Sequence, residues 1–339
     1  MLTRLPAATD AAWQAAATFA DAWLAGQATF EQATSGSTGT PKTIALARSR
    51  MEASAAATAQ ALSLQRGKAG LVCLSAAYIG GKMALMRGLS LGWDLYVTEP
   101  GAYALADWDL PHPPYHASLV PLQLEAALAE PDLRRRLQGM HSVLVGGAPL
   151  SPGLEAACQA AQGVALYHTF GMTETVSHIA LRRLNGPEAG PWFTLLPGHQ
   201  ARVDAEGCLA VCGPSTGNLW VQSQDRVELE ADRFRWLGRA DFTINSGGLK
   251  LQPEALEAAL APLLEAYGIN GAFFITGRPH ERLGQAVTLV LEQAEPLAEA
   301  ETEALLRYLT DRLPRFHAPR GLEVQPKLAR TPTGKIKRS

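Results

Sequence analysis

Cysteine is scarce: four thiols in 339 residues, Cys73, Cys158, Cys208 and Cys212. That is too few for a disulfide framework. Cys208 and Cys212 are four apart, but no second pair or nearby histidine completes a zinc site. Reduced thiols in a cytoplasmic protein are the expectation. An excess of one charge is lacking too. Thirty basic against 32 acidic side chains leave a formal charge of −2, which gives no electrostatic footing for nucleic acid or an anionic membrane. No apolar run reaches the ~20 residues that span a bilayer. Met1-Leu2-Thr3-Arg4 leads into alanines and tryptophans broken by Asp10, Gln14 and Asp21, which reads as neither a signal peptide nor a membrane span. Internal repeats are also missing.

What is present is apolar mass, 47% of the chain, enough to core two domains. Amphipathic helix is expected over 9–25, a short strand at 29–33, a second alanine-rich helix over about 48–64 and a buried strand at 71–74. A helix starts at Gly80-Gly81, a strand returns at 93–98, strand–helix pairs follow at 115–128 and 142–161, and another strand covers 164–169. Strands alternating with helices imply an α/β fold with an open, mainly parallel sheet and helices on both faces. Ligands of such sheets sit beyond the carboxyl ends of the strands. The loops after Ala33, Val145 and Thr169 are all expected there. From about Thr194, short runs near 200–203, 208–212, 218–222 and 234–237 read as a small antiparallel β subdomain. A small, mobile α+β domain follows, with a helix opening at Pro253-Glu254, strands at 272–276 and 286–292 and a helix over 299–312. Residues 293–303 read as a solvated linker with a helix start. The expected boundaries are 1–240 and 241–339.

One stretch carries unusual chemistry: Thr34-Ser35-Gly36-Ser37-Thr38-Gly39-Thr40-Pro41-Lys42, with five hydroxyls, two glycines and a closing lysine. Glycines let backbone N–H groups converge on one anion, rotatable hydroxyls add donors, and Lys42 adds charge. That suits a polyphosphate. It is not the Walker A pattern, since Gly36 and Gly39 are three apart and Thr40-Pro41 separate the second glycine from Lys42. Taken alone, a stretch of this composition reads more simply as an ordinary Ser/Thr/Gly-rich surface loop.

Four further stretches join it, and the ordered set resembles the acyl- and aryl-CoA synthetases of the adenylate-forming superfamily. Gly146-Gly147-Ala148-Pro149-Leu150 resembles the segment lying along the adenine. Phe170-Gly171-Met172-Thr173-Glu174 is similar to the family's Tyr-Gly-x-Thr-Glu signature, with Phe in the place of Tyr. Trp236-Leu237-Gly238-Arg239-Ala240-Asp241, followed by Ser246-Gly247-Gly248, resembles the inter-domain hinge. Thr331-Pro332-Thr333-Gly334-Lys335-Ile336 resembles the C-terminal loop of the catalytic lysine. Together they span residues 34 to 338.

The resemblance implies ATP, Mg2+ and coenzyme A as reactants, and it implies roles for the residues. Lys42 and the loop Thr34–Gly39 hold the β- and γ-phosphates, Glu174 carries Mg2+ and Thr173 donates to the α-phosphate. Lys335 bridges the acid's carboxylate and that phosphate. Gly146 to Pro149 and Phe170 to Met172 line the nucleotide. Asp225 chelates the ribose hydroxyls, although the family's Thr-Gly-Asp stands as Ser223-Gln224-Asp225, and Arg239 assists it. Asp241 is the pivot, and Ser246, Gly247 and Gly248 shape the CoA tunnel. Such chemistry needs cations and oriented donors more than it needs a base. The plain alternatives are a helix N-terminal carboxylate for Glu174, a hairpin turn for Gly247-Gly248, and for Lys335 a solvated basic tail with Lys327, Lys337 and Arg338.

Within the superfamily, two runs resemble the o-succinylbenzoate–CoA ligases of menaquinone biosynthesis: Gly171-Met172-Thr173-Glu174-Thr175 continuing to Ser177-His178-Ile179, and Ile244 to Gly248 with Lys250 and Pro253-Glu254. Tyr78-Ile79-Gly80-Gly81-Lys82 up to Arg87 resembles their pocket segment, with Tyr78 replacing His. A dicarboxylate leaves one carboxylate to react and one for a guanidinium fork. Arg87, with Lys82 a turn away, is the candidate, and Tyr78 and Ser177 complete the acid site. Alternatively, Arg87 lies on a helix exterior. Only 33 residues precede the phosphate-loop candidate, so an N-terminal layer is expected to be reduced and its flank open to a second subunit as a homo-oligomer. Other acids, loading of a carrier protein, and a degenerate nucleotide-binding homologue are the remaining readings.

Overall fold

The computed structural model describes the chain except residues 34–42, 107–109, 111–112, 315, 331–335 and 339. Its contacts divide it into two units. The first is Met1–Arg202 with Ala210–Gln222 and Leu229–Arg235; the second is Val203–Leu209 with Ser223–Glu228 and Trp236–Ser339.

The first unit opens with β1 (Leu2–Arg4), α1 (Asp10–Leu24), β2 (Thr29–Ala33), β3 (Thr43–Ala47) and α2 (Arg48–Ala61). Then come β4 (Ala69–Val72), α3 (Ile79–Ser90), β5 (Asp94–Val97), β6 (His116–Leu119), α4 (Pro121–Ala129), α5 (Pro131–Leu137), β7 (Ser142–Val145), α6 (Pro152–Ala160) and β8 (Ala165–Gly171). Six of these strands form a parallel sheet in the order β1-β5-β4-β6-β7-β8. Side chains on a strand alternate between faces, and the core follows that alternation. Leu71, Val143 and Val145 pack with Leu124, Leu133, Leu137 and Leu154 of α4, α5 and α6. Val72 and Leu144 face the other way, onto Phe19, Met51, Met83 and Met86 of α1, α2 and α3. Every residue of β7 is buried, as expected of a strand covered on both faces.

The α/β class with helices on both sides of a large sheet is what the sequence implies. One expectation fails. β2 is not a strand of the parallel sheet; it pairs only with β3, antiparallel, from Thr29↔Ala47 to Ala33↔Thr43. The stretch after Ala33 therefore connects the two strands of a separate hairpin, while the loops after Val145 and Gly171 do leave the large sheet. After β8 the direction changes: β9 (His178–Arg183) and β10 (Trp192–Leu195) pair antiparallel. The strands β11 (Gln200–Val203), β12 (Cys208–Cys212), β13 (Val221–Glu230) and β14 (Arg233–Arg239) follow, and the division between the units runs through them.

The second unit continues with β15 (Ile244–Ser246), β16 (Leu249–Leu251), α7 (Pro253–Ala266), β17 (Phe273–His280), β18 (Gly284–Glu292), α8 (Glu299–Thr310) and β19 (Gly321–Gln325). Its sheet runs β16-β15-β18-β17, with β19 parallel to β18. Leu256, Leu260 and Leu264, four residues apart on one face of α7, and Leu305 and Leu309 of α8 cover Ile275, Leu289 and Leu291. No described helix is long and apolar enough to cross a membrane.

Candidate active site

β7 runs straight into Gly146, where a Cβ would lie 2.1 Å from Thr169 Oγ1 on the neighbouring β8 and one of the two would have to shift. Thr169 Oγ1 donates to the Val145 carbonyl at 3.2 Å, holding the two strand ends together. Gly147 then takes φ +88°, a left-handed turn that suits glycine. His168 ties the next residue down. Its Nε2 donates to the Ala148 carbonyl at 3.4 Å, and Arg182 donates to its Nδ1 at 3.3 Å. Burial, with Arg182 beside it, lowers His168 to about 4, so the ring is neutral. The segment proposed to lie along an adenine is thus set by a glycine, a threonine and a neutral histidine.

β8 leads into the second candidate segment. A Cβ on Gly171 would meet Ser177 O at 2.3 Å, so only glycine lets the turn fold back this tightly. Inside the turn, Thr175 is fully buried. Its Oγ1 accepts from Met172 N at 3.1 Å and lies 2.9 and 2.7 Å from the carbonyls of Met172 and Ser177. Val176 takes φ +69°, a conformation that strains a β-branched residue by about 1–3 kcal/mol. Arg50 of α2 braces the turn from outside, donating to Glu174 O at 2.6 Å and to Ser215 O at 2.7 Å. The result is a rigid platform on which Thr173 is half-buried and Glu174 exposed. Among the described residues no hydrogen bond or ion pair takes up the Glu174 carboxylate, and no three His, Cys, Asp or Glu side chains gather as a metal cluster. One free carboxylate on a braced turn fits Mg2+, which takes one or two carboxylates and completes its shell with phosphate oxygens and water. Phe170 packs edge-on against Phe234 (5.0 Å) and Phe193 (5.7 Å), so its ring is held without need of a hydroxyl.

Arg87 does not lie on a helix exterior. It sits on the inner face of α3, 2% exposed, beside Met83 and Met86. Its Nη1 reaches Ser118 Oγ on β6 only at 3.5 Å, its Nε has no partner, and among the described residues no carboxylate pairs with it. Burial lowers it to about 10, so it stays charged near neutral pH. A buried guanidinium without a counterion costs several kcal/mol, and an anion placed beside it would offset that cost. Around it stand neutral groups. His116 holds Ser142 Oγ through Nδ1 at 2.8 Å and leaves Nε2 unpartnered. His178 Nε2 lies 2.9 Å from Thr58 Oγ1, and its Nδ1 3.2 Å from Ser177 Oγ. Both histidines are held well below their ordinary range, first by burial and then by the Arg87 charge. Lys82 turns elsewhere, donating to Glu31 O at 2.7 Å, and Tyr78 is 45% exposed. The structure therefore ties Ser177 and Arg87 to one buried polar cluster and leaves Lys82 and Tyr78 outside it.

The second unit holds the other candidates. Asp225 accepts from Trp236 Nε1 at 2.9 Å and lies 3.8 Å from Arg239, which makes a two-pronged pair with Asp241 at 2.9 and 2.8 Å. Ser246 is buried, and Gly247 and Gly248 take φ +59° and +85° between β15 and β16, in register at Ser246↔Leu249. Two positive φ values in a two-residue hairpin are what a tight turn matching strand twist requires.

Thr34, Ser35, Gly36, Ser37, Thr38, Gly39 and Lys42, together with Lys335, lie outside the described residues. Sequence reading missed Arg50, His116, Ser118 and Thr175. Thr175 stood inside a recognised motif, but the others act through contacts distant in sequence, which no local pattern announces.

Residues 12–227 match the family model described as AMP-binding enzyme. The chain belongs to that family. Among AMP-binding enzymes of known structure, it is 39% identical to an acyl-CoA synthetase (AMP-forming)/AMP-acid ligase II-like protein from Dyadobacter fermentans. That match covers 98% of this chain and 94% of the other, with a TM-score of 0.65. It is 31% identical to a probable 2-succinylbenzoate–CoA ligase from Mycobacterium tuberculosis, over 90% of this chain and 82% of that one. The o-succinylbenzoate coenzyme A synthetase of Bacillus subtilis, solved with ATP and magnesium ion, shares the fold: TM-score 0.72, 21% identity, 91% of this chain and 68% of that one.

Proposed function

We propose that this AMP-binding enzyme is an acid–thiol ligase that activates o-succinylbenzoate with ATP and passes the acyl group to coenzyme A. The observation that carries the choice of acid is Arg87, a buried guanidinium with no carboxylate partner among the described residues. A dicarboxylate supplies the missing counterion with one carboxylate and reacts through the other. The likeness to the probable 2-succinylbenzoate–CoA ligase from Mycobacterium tuberculosis supports the same substrate class.

In the first half-reaction a carboxylate oxygen attacks the α-phosphorus of ATP and pyrophosphate leaves. Glu174 would hold Mg2+, which would supply neutralisation of the phosphate charge. Lys42 and the Thr34–Gly39 loop hold the departing β- and γ-phosphates. Thr173 donates to the α-phosphate, and Lys335 holds the attacking carboxylate against it. The backbone of Gly146 to Pro149 and of Phe170 to Met172 carries the adenine, and Asp225 accepts from the ribose hydroxyls with Arg239 beside it. In the second half-reaction the thiol of coenzyme A attacks the acyl carbon and AMP leaves. The C-terminal domain, 241–339, turns about Asp241 between the two steps, so that Ser246, Gly247 and Gly248 replace Lys335 and line the thiol's path.

Pyrophosphate release measured with ATP, Mg2+ and a panel of acids tests this reading. Release with o-succinylbenzoate well above that with benzoate or succinate is expected; preference for a monocarboxylate overturns the assignment of the acid. A second reading, a catalytically weakened nucleotide-binding homologue, is favoured by Ser223-Gln224-Asp225 and by the Trp236 indole already occupying Asp225. ATP binding with no pyrophosphate release from any acid would select it.

A further inference from the structure

The chain's last arginine is no solvated tail. Arg338 makes a two-pronged pair with Glu257 of α7, both bonds at 2.6 Å, and lies 3.3 Å from Ile275 O and 4.0 Å from Glu254. The side chains of Arg338, Glu257 and Glu254 are only 15%, 19% and 11% exposed. A planar fork on a carboxylate fixes direction as well as distance. Three other contacts fix the same stretch of chain. Ile336 bridges Arg330 antiparallel, Lys337 N donates to Ala329 O at 2.8 Å, and the Ile336 side chain packs with Phe274, Val290 and Leu328. On the other arm, Glu292 accepts from Leu328 N and from Arg330 Nη2, each at 3.1 Å. The same arginine borders the proposed pivot: the guanidinium carbons of Arg239 and Arg338 lie 5.5 and 5.4 Å from the Phe242 ring centre.

Lys335 is three residues from Arg338, at most about 11 Å of extended chain, and directly precedes the bridged Ile336. We propose that Arg338 is a positioning residue for Lys335. Clamped on Glu257, it fixes the bridged segment 336–338 that follows the lysine and so serves adenylate formation rather than thioester formation. This rests on the role given to Lys335 above. Misplacing a reacting group by about 1 Å costs on the order of 100-fold in rate, so loosening the clamp is felt in one half-reaction before it is felt in the fold.

The test uses the full chain and two assays: pyrophosphate release from ATP and o-succinylbenzoate, and thioester formation from preformed acyl-adenylate and coenzyme A. Arg338→Ala is expected to lower kcat of the first by roughly 10- to 100-fold, with KM for ATP unchanged and the second assay little affected. Arg338→Lys keeps the charge without the fork and recovers part of the loss. Should Arg338→Ala fail to fold, Glu257→Gln, which keeps the shape and weakens the pair, is expected to give the same split on a smaller scale. Equal loss in both assays, or no loss in either, overturns the proposal. Lys335→Ala serves as the control. If it lowers only adenylation while the clamp variants do not, the clamp alone is refuted. If it produces no split, the role of Lys335 is refuted and the proposal falls with it.

Discussion

Gly146 and Thr169 meet so closely that a Cβ on the glycine would sit 2.1 Å from the threonine Oγ1, with the next nearest atom, Thr169 Cβ, at 3.5 Å. The clash is thus with one hydroxyl and not with the backbone. Gly146→Ala is expected to destabilise the fold by about 1–3 kcal/mol, the usual cost of overpacking, and to weaken ATP binding. Adding Thr169→Ala removes the obstructing oxygen and should recover most of the stability. Urea unfolding of the two single variants and the double variant checks this, since additive losses would mean the contact is not the cause.

Arg50 braces the Glu174 turn through the Glu174 and Ser215 carbonyls. It touches no reactant in the proposed mechanism. Arg50→Ala should raise the Mg2+ concentration for half-maximal pyrophosphate release by about 10-fold, the low end for losing a group that supports a metal ligand. KM for the acid should stay put. A Mg2+ titration at saturating ATP reads the effect directly.

Arg87→Ala removes the buried cation and its fork. KM for o-succinylbenzoate should rise by roughly 100-fold or more, the scale of losing one partner of a buried charge pair, while KM for ATP changes little. Parallel rises in both constants would make Arg87 a structural residue.

The buried histidines predict an acid-sensitive fold. His168 is lowered to about 4 by burial and by Arg182, and His116 and His178 lie well below their ordinary range. In the unfolded chain they titrate near 6.5. As pH falls from about 6.5 toward 4, the unfolded chain takes up protons that the folded one excludes, so stability present above pH 6.5 is progressively lost. The urea midpoint should fall steadily from pH 7 to pH 5, and less steeply in His168→Gln. A flat midpoint over that range would mean that these rings charge within the fold.

Local pattern explains what could be read from the chain. The apolar faces of α1, α7 and α8 and the strands β2, β11 and β12 lie where periodicity and turn residues put them, because those signals sit within the element itself. Pairing is another matter. β1 runs parallel to β5 although more than 90 residues separate Leu2 from Leu95, and β2 joins β3 rather than the large sheet. A strand's partner is chosen by the whole sheet, and a three-residue strand such as β1 announces nothing by itself. The same holds at the candidate site. Gly171 and Thr173-Glu174 are visible as a motif, whereas Arg50 looks like any arginine on an alanine-rich helix until Ser215 and Glu174 are brought beneath it. Arg338 looks like a solvated terminal charge until α7 presents Glu257.

The most direct test of the account is the product itself. Incubation with ATP, Mg2+, coenzyme A and o-succinylbenzoate, followed by mass spectrometry, should yield o-succinylbenzoyl-CoA with AMP and pyrophosphate in equal amounts, and none of the three without the acid. AMP and thioester formed from another acid but not from o-succinylbenzoate would contradict it.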